Sequence, residues 1–87
     1  MTIQIDQHLA QLVLSLQAGA MQQMGKTINP ATGAVDRDLE VAKYTIDIID
    51  MLEKKMQGNL SADETRFISA ILTDLRLNFV DESGKKE

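Results

Sequence analysis

The sequence predicts an all-α fold in which three helices form one small domain. Glycine and proline are scarce, five and one among 87 residues, and they fall mostly between three segments whose apolar residues recur every three or four positions. No segment of six or more residues shows the alternation that is typical of a strand. A chain of this length has room for one core. We therefore expect a single helical domain over residues 1–80, followed by a flexible polar tail over residues 81–87.

The first predicted helix covers about residues 7–24. Asp6 is an N-cap type of residue, whose carboxylate accepts hydrogen bonds from the free amides of a first helical turn. Gly25 follows the last apolar position and suits the left-handed conformation that ends many helices. One stripe of apolar side chains is expected to face the core: Leu9, Leu12, Val13, Leu16, Ala20 and Met24.

The second predicted helix covers about residues 38–57 and follows the longest connection of the chain. In that connection Pro30 fixes φ and Gly33 supplies a permissive backbone position, a combination that is typical of a turn. Either Asp36 or Asp38 is expected to cap the helix. Its core stripe is predicted to contain Leu39, Ala42, Ile46, Ile49, Leu52 and Met56.

The third predicted helix covers about residues 62–80, and the break before it is the sharpest signal in the sequence. Gly58 suits a helix end, and Ser61 and Glu64 have the spacing of a capping box. Asn59 either donates to a partner or satisfies the backbone of its own turn. Gly58, Asn59, Leu60 and Ser61 form so short a turn that helices two and three are expected to make an antiparallel hairpin. The core stripe of the third helix is Phe67, Ile68, Ile71, Leu72, Leu75 and Phe79.

Helices one and two carry more apolar surface than a three-helix packing requires. Around helix two, at about 100° per residue, a second apolar sector lies beside the core stripe, and helix one extends its own stripe similarly. Two interpretations are open: helix two lies at the centre of its own bundle, or these second faces pack against another chain. We favour a homodimer, because large exposed apolar patches are rare on monomers and short chains often need association. The predicted interface residues are Leu14, Met21, Val41, Tyr44, Ile48 and Met51.

Composition excludes several function classes. Without cysteine, the chain has no disulfides, no thiolate zinc site and no iron–sulfur cluster. The formal net charge is −4 and the lysines and arginines are scattered, so nucleic-acid binding is not expected. The sequence shows no secretory signal and no run of the ~20 apolar residues that cross a bilayer. We therefore predict a cytoplasmic protein without membrane contact.

The sequence contains no recognisable catalytic or metal-binding constellation. His8 is the one imidazole, and it lies in the first helical turn without a nucleophile or an orienting group beside it. On helix two, three pairs of residues have the spacing of intrahelical ion pairs, so these carboxylates are expected in solvent rather than on a metal. The pairs are Glu40 and Lys43, Lys43 and Asp47, and Asp50 and Lys54. We predict a protein that is not an enzyme and that has no catalytic residue, metal site or cofactor.

Several short segments occur in an order that is known from one family. They are Pro30-Ala31-Thr32-Gly33, Thr45-Ile46-Asp47, Gly58-Asn59-Leu60 and Asp74-Leu75-Arg76. The chain resembles the short bacterial proteins grouped as domain-of-unknown-function family 1844, over nearly its whole length. The resemblance implies the helical fold, and it implies no activity or catalytic residue because that family has none assigned. It also draws attention to Asp47 and Arg76, which either form an ion pair, within or between chains, or remain two solvated charges.

Two functional hypotheses follow from these observations. The first is a non-enzymatic helical interaction and oligomerisation module, which self-associates through helices one and two and can present a groove to another, unidentified protein. The second is a small-ligand-binding bundle or an accessory subunit of an enzyme complex. An internal cavity lined by Leu16, Ile49 and Ile71 would favour the second hypothesis. The first requires the interface residues of helix two to stay exposed in the isolated chain.

Overall fold

A computed structural model describes residues 3–85, which contain three α-helices and no strand. The helices are α1 (Gln7–Gln23), α2 (Leu39–Lys55) and α3 (Ala62–Ser83). The prediction of an all-α fold is confirmed. The first two helices lie within their predicted segments, and the third continues three residues beyond its predicted end.

The predicted N-terminal caps are all present. The Asp6 carboxylate accepts hydrogen bonds from the amides of His8 and Leu9, at 2.8 and 3.2 Å. Asp38, rather than Asp36, caps α2, because its carboxylate accepts from the amide of Val41. At α3, Ser61 and Glu64 form both halves of a capping box. Each cap satisfies amides that would otherwise lack partners in the first turn of its helix. The helices therefore begin where the sequence predicts.

Two glycines end the first two helices. Gly25 and Gly58 have φ values of 85° and 89°, in the left-handed region that costs little for glycine and strains other residues. Gly25 follows the α1 cap residue Met24, whose amide still donates to Ala20. These two positions confirm the helix ends that the sequence predicts there.

A single apolar core joins the three helices. Leu12, which the sequence assigns to the core stripe of α1, is instead exposed, because its position is rotated about 100° around the helix from that of Val13. The partly buried Phe67 and Phe79 pack against the edge of the core. Each fully buried aliphatic side chain contributes about 1.5–3 kcal/mol of hydrophobic free energy. The buried apolar residues are Leu9, Val13, Ala20, Met24, Ala42, Ile46, Ile49, Ile68, Ile71, Leu72 and Leu75.

Polar contacts at both ends join α1 to α3. Near the start of the two helices, the amide of Asp6 donates to the Glu64 carboxylate at 2.8 Å. Just beyond the end of α1, Lys26 Nζ lies 2.8 Å from Asp81 Oδ2, near the end of α3. The N-terminal ends of α1 and α3 are in contact, and so are their C-terminal ends. The two helices therefore lie side by side in parallel orientation.

Contacts from α2 reach both of its neighbours. Thr45 Oγ1 donates to Gln23 Oε1 at 2.7 Å, which places a half-buried hydrogen bond between α2 and α1. Towards α3, Arg76 donates to the Asp50 carboxylate at 3.1 Å. Helix α2 thus contacts both α1 and α3.

The last turn of α3 differs from its predicted state. The sequence assigns residues 81–87 to a flexible polar tail, but α3 continues to Ser83 and the Glu82 side chain is buried. The reason is that Lys26 and Lys85 both bind the Glu82 carboxylate, at 2.8 and 2.7 Å. Residues 86 and 87 of the predicted tail lie outside the described part of the chain.

The core assignment makes a direct prediction about α3. Leu75 is fully buried, whereas Leu77, two positions later, is 67% exposed. Leu75→Ala should lower the free energy of unfolding by about 2–5 kcal/mol, because it removes buried methyl groups and leaves a cavity. Leu77→Ala should change it by less than about 0.5 kcal/mol. Urea unfolding followed by circular dichroism measures both, and equal losses would contradict this core.

Candidate functional site

The predicted interface residues of α2 lie on its outer side. Tyr44, Met51 and Val41 are 69%, 43% and 42% exposed, and Ile48 between them is half-buried. Tyr44, Ile48 and Met51 line one shallow groove with Asp47. We call Val41, Tyr44, Ile48 and Met51 the α2 face. Their steps of three, four and three residues keep them on one side of the helix.

The two predicted interface residues of α1 lie elsewhere. Leu14 is exposed and lines a separate groove on the outer side of α1. Met21 is half-buried and packs against the core, so little of it is left for a partner. The structure thus divides the predicted interface residues between two surfaces, of which the α2 face contains the larger share.

The groove beside Leu14 is formed in part by a segment that sequence reasoning missed. Ile3 and Ile5 precede α1 and line this groove with Ala10 and Ala18. The segment is held in place because the amide of Gln4 donates to the Asp63 carboxylate at 2.8 Å and its carbonyl accepts from the Ser61 hydroxyl. The alternation of Ile3 and Ile5 was the available signal, but three residues are too short for a periodicity argument.

The residues of the short turn before α3 make contacts within the chain. The amide of Asn59 donates to the Met56 carbonyl at 2.9 Å, and Asn59 is otherwise exposed. Leu60 packs against the core, and Ser61 caps α3. The four residues Gly58, Asn59, Leu60 and Ser61 therefore have local structural roles in the described chain.

Asp47 and Arg76 bind different partners within the described chain. Asp47 pairs with Lys43 at 3.1 Å, and Arg76 pairs with Asp50 at 3.1 Å. Asp50 lies nearly one helical turn beyond Asp47, so Arg76 reaches it instead. Both residues still line a small groove between α2 and α3. The hydrogen bond from Lys54, and then that from Arg76, hold the pKa of the Asp50 carboxyl below its usual value.

A cluster of charges at the end of α3 was also missed by sequence reasoning. Lys26 and Lys85 bind the buried Glu82 carboxylate, Arg37 Nε lies 3.6 Å from it, and Lys26 also binds Asp81. Hydrogen bonds from Lys26 and then Lys85 lower the pKa of Glu82. Hydrogen bonds to Asp81 and Glu82 raise the pKa of Lys26. Lys26 and Arg37 come from segments far from Glu82 in sequence, so local spacing did not indicate that they meet it.

One family pattern matches residues 6–81 of the 87 residues, and its description is a domain of unknown function, DUF1844. The chain belongs to the DUF1844 family. This membership confirms the resemblance that the short segments of the sequence indicated. No match is found among curated proteins or among solved structures.

The features that stand out in this DUF1844 chain are two apolar surfaces, the α2 face and the groove beside Leu14. Between residues 3 and 85, no group of three or more histidine and acidic side chains is arranged to hold a metal ion. Over the same residues, no helix combines the length and apolar character needed to cross a membrane. What the described residues do present is an exposed apolar helix face and an apolar groove.

The Glu82 cluster predicts a pH dependence for the DUF1844 chain. Because the folded-state pKa of Glu82 is lowered, its ion pairs stabilise the fold fully above the unfolded-state pKa of about 4.3. That stabilisation is lost as the pH falls through the folded-state pKa. Glu82→Gln should therefore lower the urea midpoint at pH 7 and flatten the decline of that midpoint towards pH 3.

Asp74→Asn is the matched control for Glu82→Gln. Asp74 is exposed on α3 and has no ion-pair partner among residues 3–85. The Asp74→Asn variant should keep the wild-type dependence of the urea midpoint on pH. A Glu82→Gln curve parallel to the wild-type curve would contradict a stabilising role for the cluster.

Proposed function

We propose that this DUF1844 chain is a non-enzymatic helical interaction module that self-associates as a homodimer through the α2 face. The observation that carries the proposal is the exposure of Val41, Tyr44 and Met51 on a helix whose core side is already buried. Exposed apolar residues gathered on one helix face are typical of association surfaces. Closed two-fold dimers are the commonest arrangement for such a surface.

The proposal includes the arrangement of the helices that leaves this face open. Asp50 and Glu53 of α2 contact Arg76 and Ser69 of α3, at 3.1 and 2.9 Å. The contacts run in opposite order along the two helices, which supports the antiparallel hairpin of α2 and α3. With α1 contacting α2 through Gln23, the core side of α2 is occupied and its outer side is available.

The accessible surface of the chain also supports association. It exposes 5930 Å², whereas size scaling gives about 5100 Å² for a folded monomer of 9.7 kDa. The excess, about 800 Å², means that the chain covers less of its surface than a folded monomer of this mass does. Part of it reflects an elongated shape of 45 × 25 × 23 Å, which offers a long side to a second copy.

The alternative of a ligand-binding bundle depends on a cavity lined by Leu16, Ile49 and Ile71. Ile49 and Ile71 are buried in the common core, and Leu16 packs against it. The grooves described above open at the surface and are lined by other residues. The packing of these three residues therefore favours the interaction module over the ligand-binding bundle.

Light scattering behind size-exclusion chromatography tests the proposal. At low micromolar concentration, the chain should have about twice its 9.7 kDa chain mass. Tyr44→Glu and Met51→Glu should return it to one chain mass, because each introduces a charge into the apolar contact. Both side chains are exposed in the single chain, so the helical circular dichroism of the variants should remain.

Leu77→Glu is the matched control for these substitutions. Leu77 is 67% exposed, and it lies on α3 rather than on the α2 face. The same chemical change there should leave the assembly intact. A monomeric wild-type chain would contradict the proposal, and so would dissociation by Leu77→Glu to the same degree.

A further inference from the structure

The α2 face continues to the last residue of its helix. Val41, Tyr44, Ile48 and Met51 are followed at the same spacing by Lys55, which is exposed. Glu40, also exposed, lies beside the other end of the face. The apolar stripe thus has an acidic residue at its N-terminal end and a basic residue at its C-terminal end.

These two charges differ from their neighbours on α2. Lys43 binds Asp47 at 3.1 Å and Lys54 binds Asp50 at 3.0 Å, each within the helix. Neither Glu40 nor Lys55 has an ion-pair partner among residues 3–85. They are fifteen residues apart, about 22 Å along a helix, so they cannot meet within one chain.

The charge pattern favours one orientation of a second copy. If two α2 helices pair in parallel, Lys55 lies next to Lys55 and Glu40 next to Glu40, and both contacts are repulsive. If they pair in antiparallel, each Glu40 lies opposite Lys55 of the second copy. The antiparallel arrangement also places the positive end of each helix dipole beside the negative end of the other. Electrostatic complementarity of this kind sets orientation and register.

The same arrangement defines the register of the apolar contacts. Glu40 and Lys55 are equally far from a point between residues 47 and 48, where the two-fold axis must cross. Tyr44 and Met51 are equally far from that point too, so Tyr44 of one copy meets Met51 of the other. Thioether sulfur and aromatic rings make favourable contacts. Asp47 lies near the axis, and its pairing with Lys43 compensates its charge there.

We infer that two copies of this chain pair α2 against α2 in antiparallel orientation, with Glu40 of each copy binding Lys55 of the other. The inference rests on the proposed function, since it names the partner and geometry of the same α2 face. The partner is a second copy because the face is complementary to itself under a two-fold rotation: Glu40 and Lys55 have opposite sign, and their midpoint is also the midpoint of Tyr44 and Met51.

Charge reversal tests the orientation. Glu40→Lys alone and Lys55→Glu alone should each raise the dimer dissociation constant about five- to tenfold at low salt, because each leaves like charges opposed at two symmetric contacts. The double variant Glu40→Lys/Lys55→Glu should return the constant to within about twofold of wild type. Sedimentation equilibrium at low and high salt measures the constants, and high salt should reduce the differences. If the double variant is no tighter than either single variant, the antiparallel pairing is wrong.

Cysteine cross-linking gives a second, independent measurement, since the chain has no cysteine of its own. A mixture of Glu40→Cys and Lys55→Cys chains, treated with a short bis-maleimide linker, should yield mixed dimers that mass spectrometry identifies. Lys55→Cys alone should yield few cross-linked dimers, and Leu77→Cys should yield none above background. Efficient cross-linking of Lys55→Cys chains to each other, in a dimeric chain, would overturn the orientation and leave self-association standing. A monomeric wild-type chain would overturn both.

Discussion

Each helix of this chain can bury only one side against its two neighbours, and this constraint determines the rest of the structure. The core side of α2 carries Ala42, Ile46 and Ile49, all buried. The helix is apolar over a wider arc than that, so a second set of apolar side chains remains in solvent. No rotation of α2 would bury both sets, because turning Tyr44 inward would expose Ile46. The exposed α2 face is therefore a direct consequence of the helix having two apolar sides.

Two carboxylates of α3 position α1, which has no acidic or basic residue between Gln7 and Gln23 apart from His8. Glu64 accepts from the amide of Asp6, just before α1, and from the amide of Ser61. These amides hold the pKa of the Glu64 carboxyl below its usual value. At the other end, Glu82 and Asp81 bind Lys26, just after α1. The helix is fixed by its flanking residues, which leaves its outer side uncharged.

The polar contacts between helices and the exposed apolar surfaces have complementary roles. The contacts of Glu64 and Glu82 join residues that are far apart in sequence, so they help to set the relative positions of α1 and α3. The α2 face makes no such contact and lies on the outside of the bundle. A function in association fits this division, because the contacts that stabilise one chain and the surface offered to a second are made by different residues. The exposed charges of Glu40 and Lys55 lie at the two ends of that surface.

The sequence by itself determined the helices and most of their core. Caps such as Asp6 and Ser61, and the glycines at 25 and 58, act over a few residues, so local spacing is sufficient to identify them. The second apolar sector of α2 could be predicted for the same reason, since helical periodicity depends only on neighbouring positions. The prediction was less good at the edge of the α1 stripe, where Leu12 is exposed and Met21 is half-buried.

Only the tertiary structure decided which distant side chains meet. Lys26 and Asp81 are 55 residues apart, and their contact orders the last turn of α3, which local polarity had assigned to a tail. Arg76 pairs with Asp50 rather than Asp47, and the spacing of these two carboxylates along α2 does not indicate which of them α3 will reach. Core packing also decides that Leu14 and the α2 face lie on different surfaces. Helical periodicity gives the angle of a side chain around its own axis, whereas the relative rotation of two helices is set by the packing of the whole core.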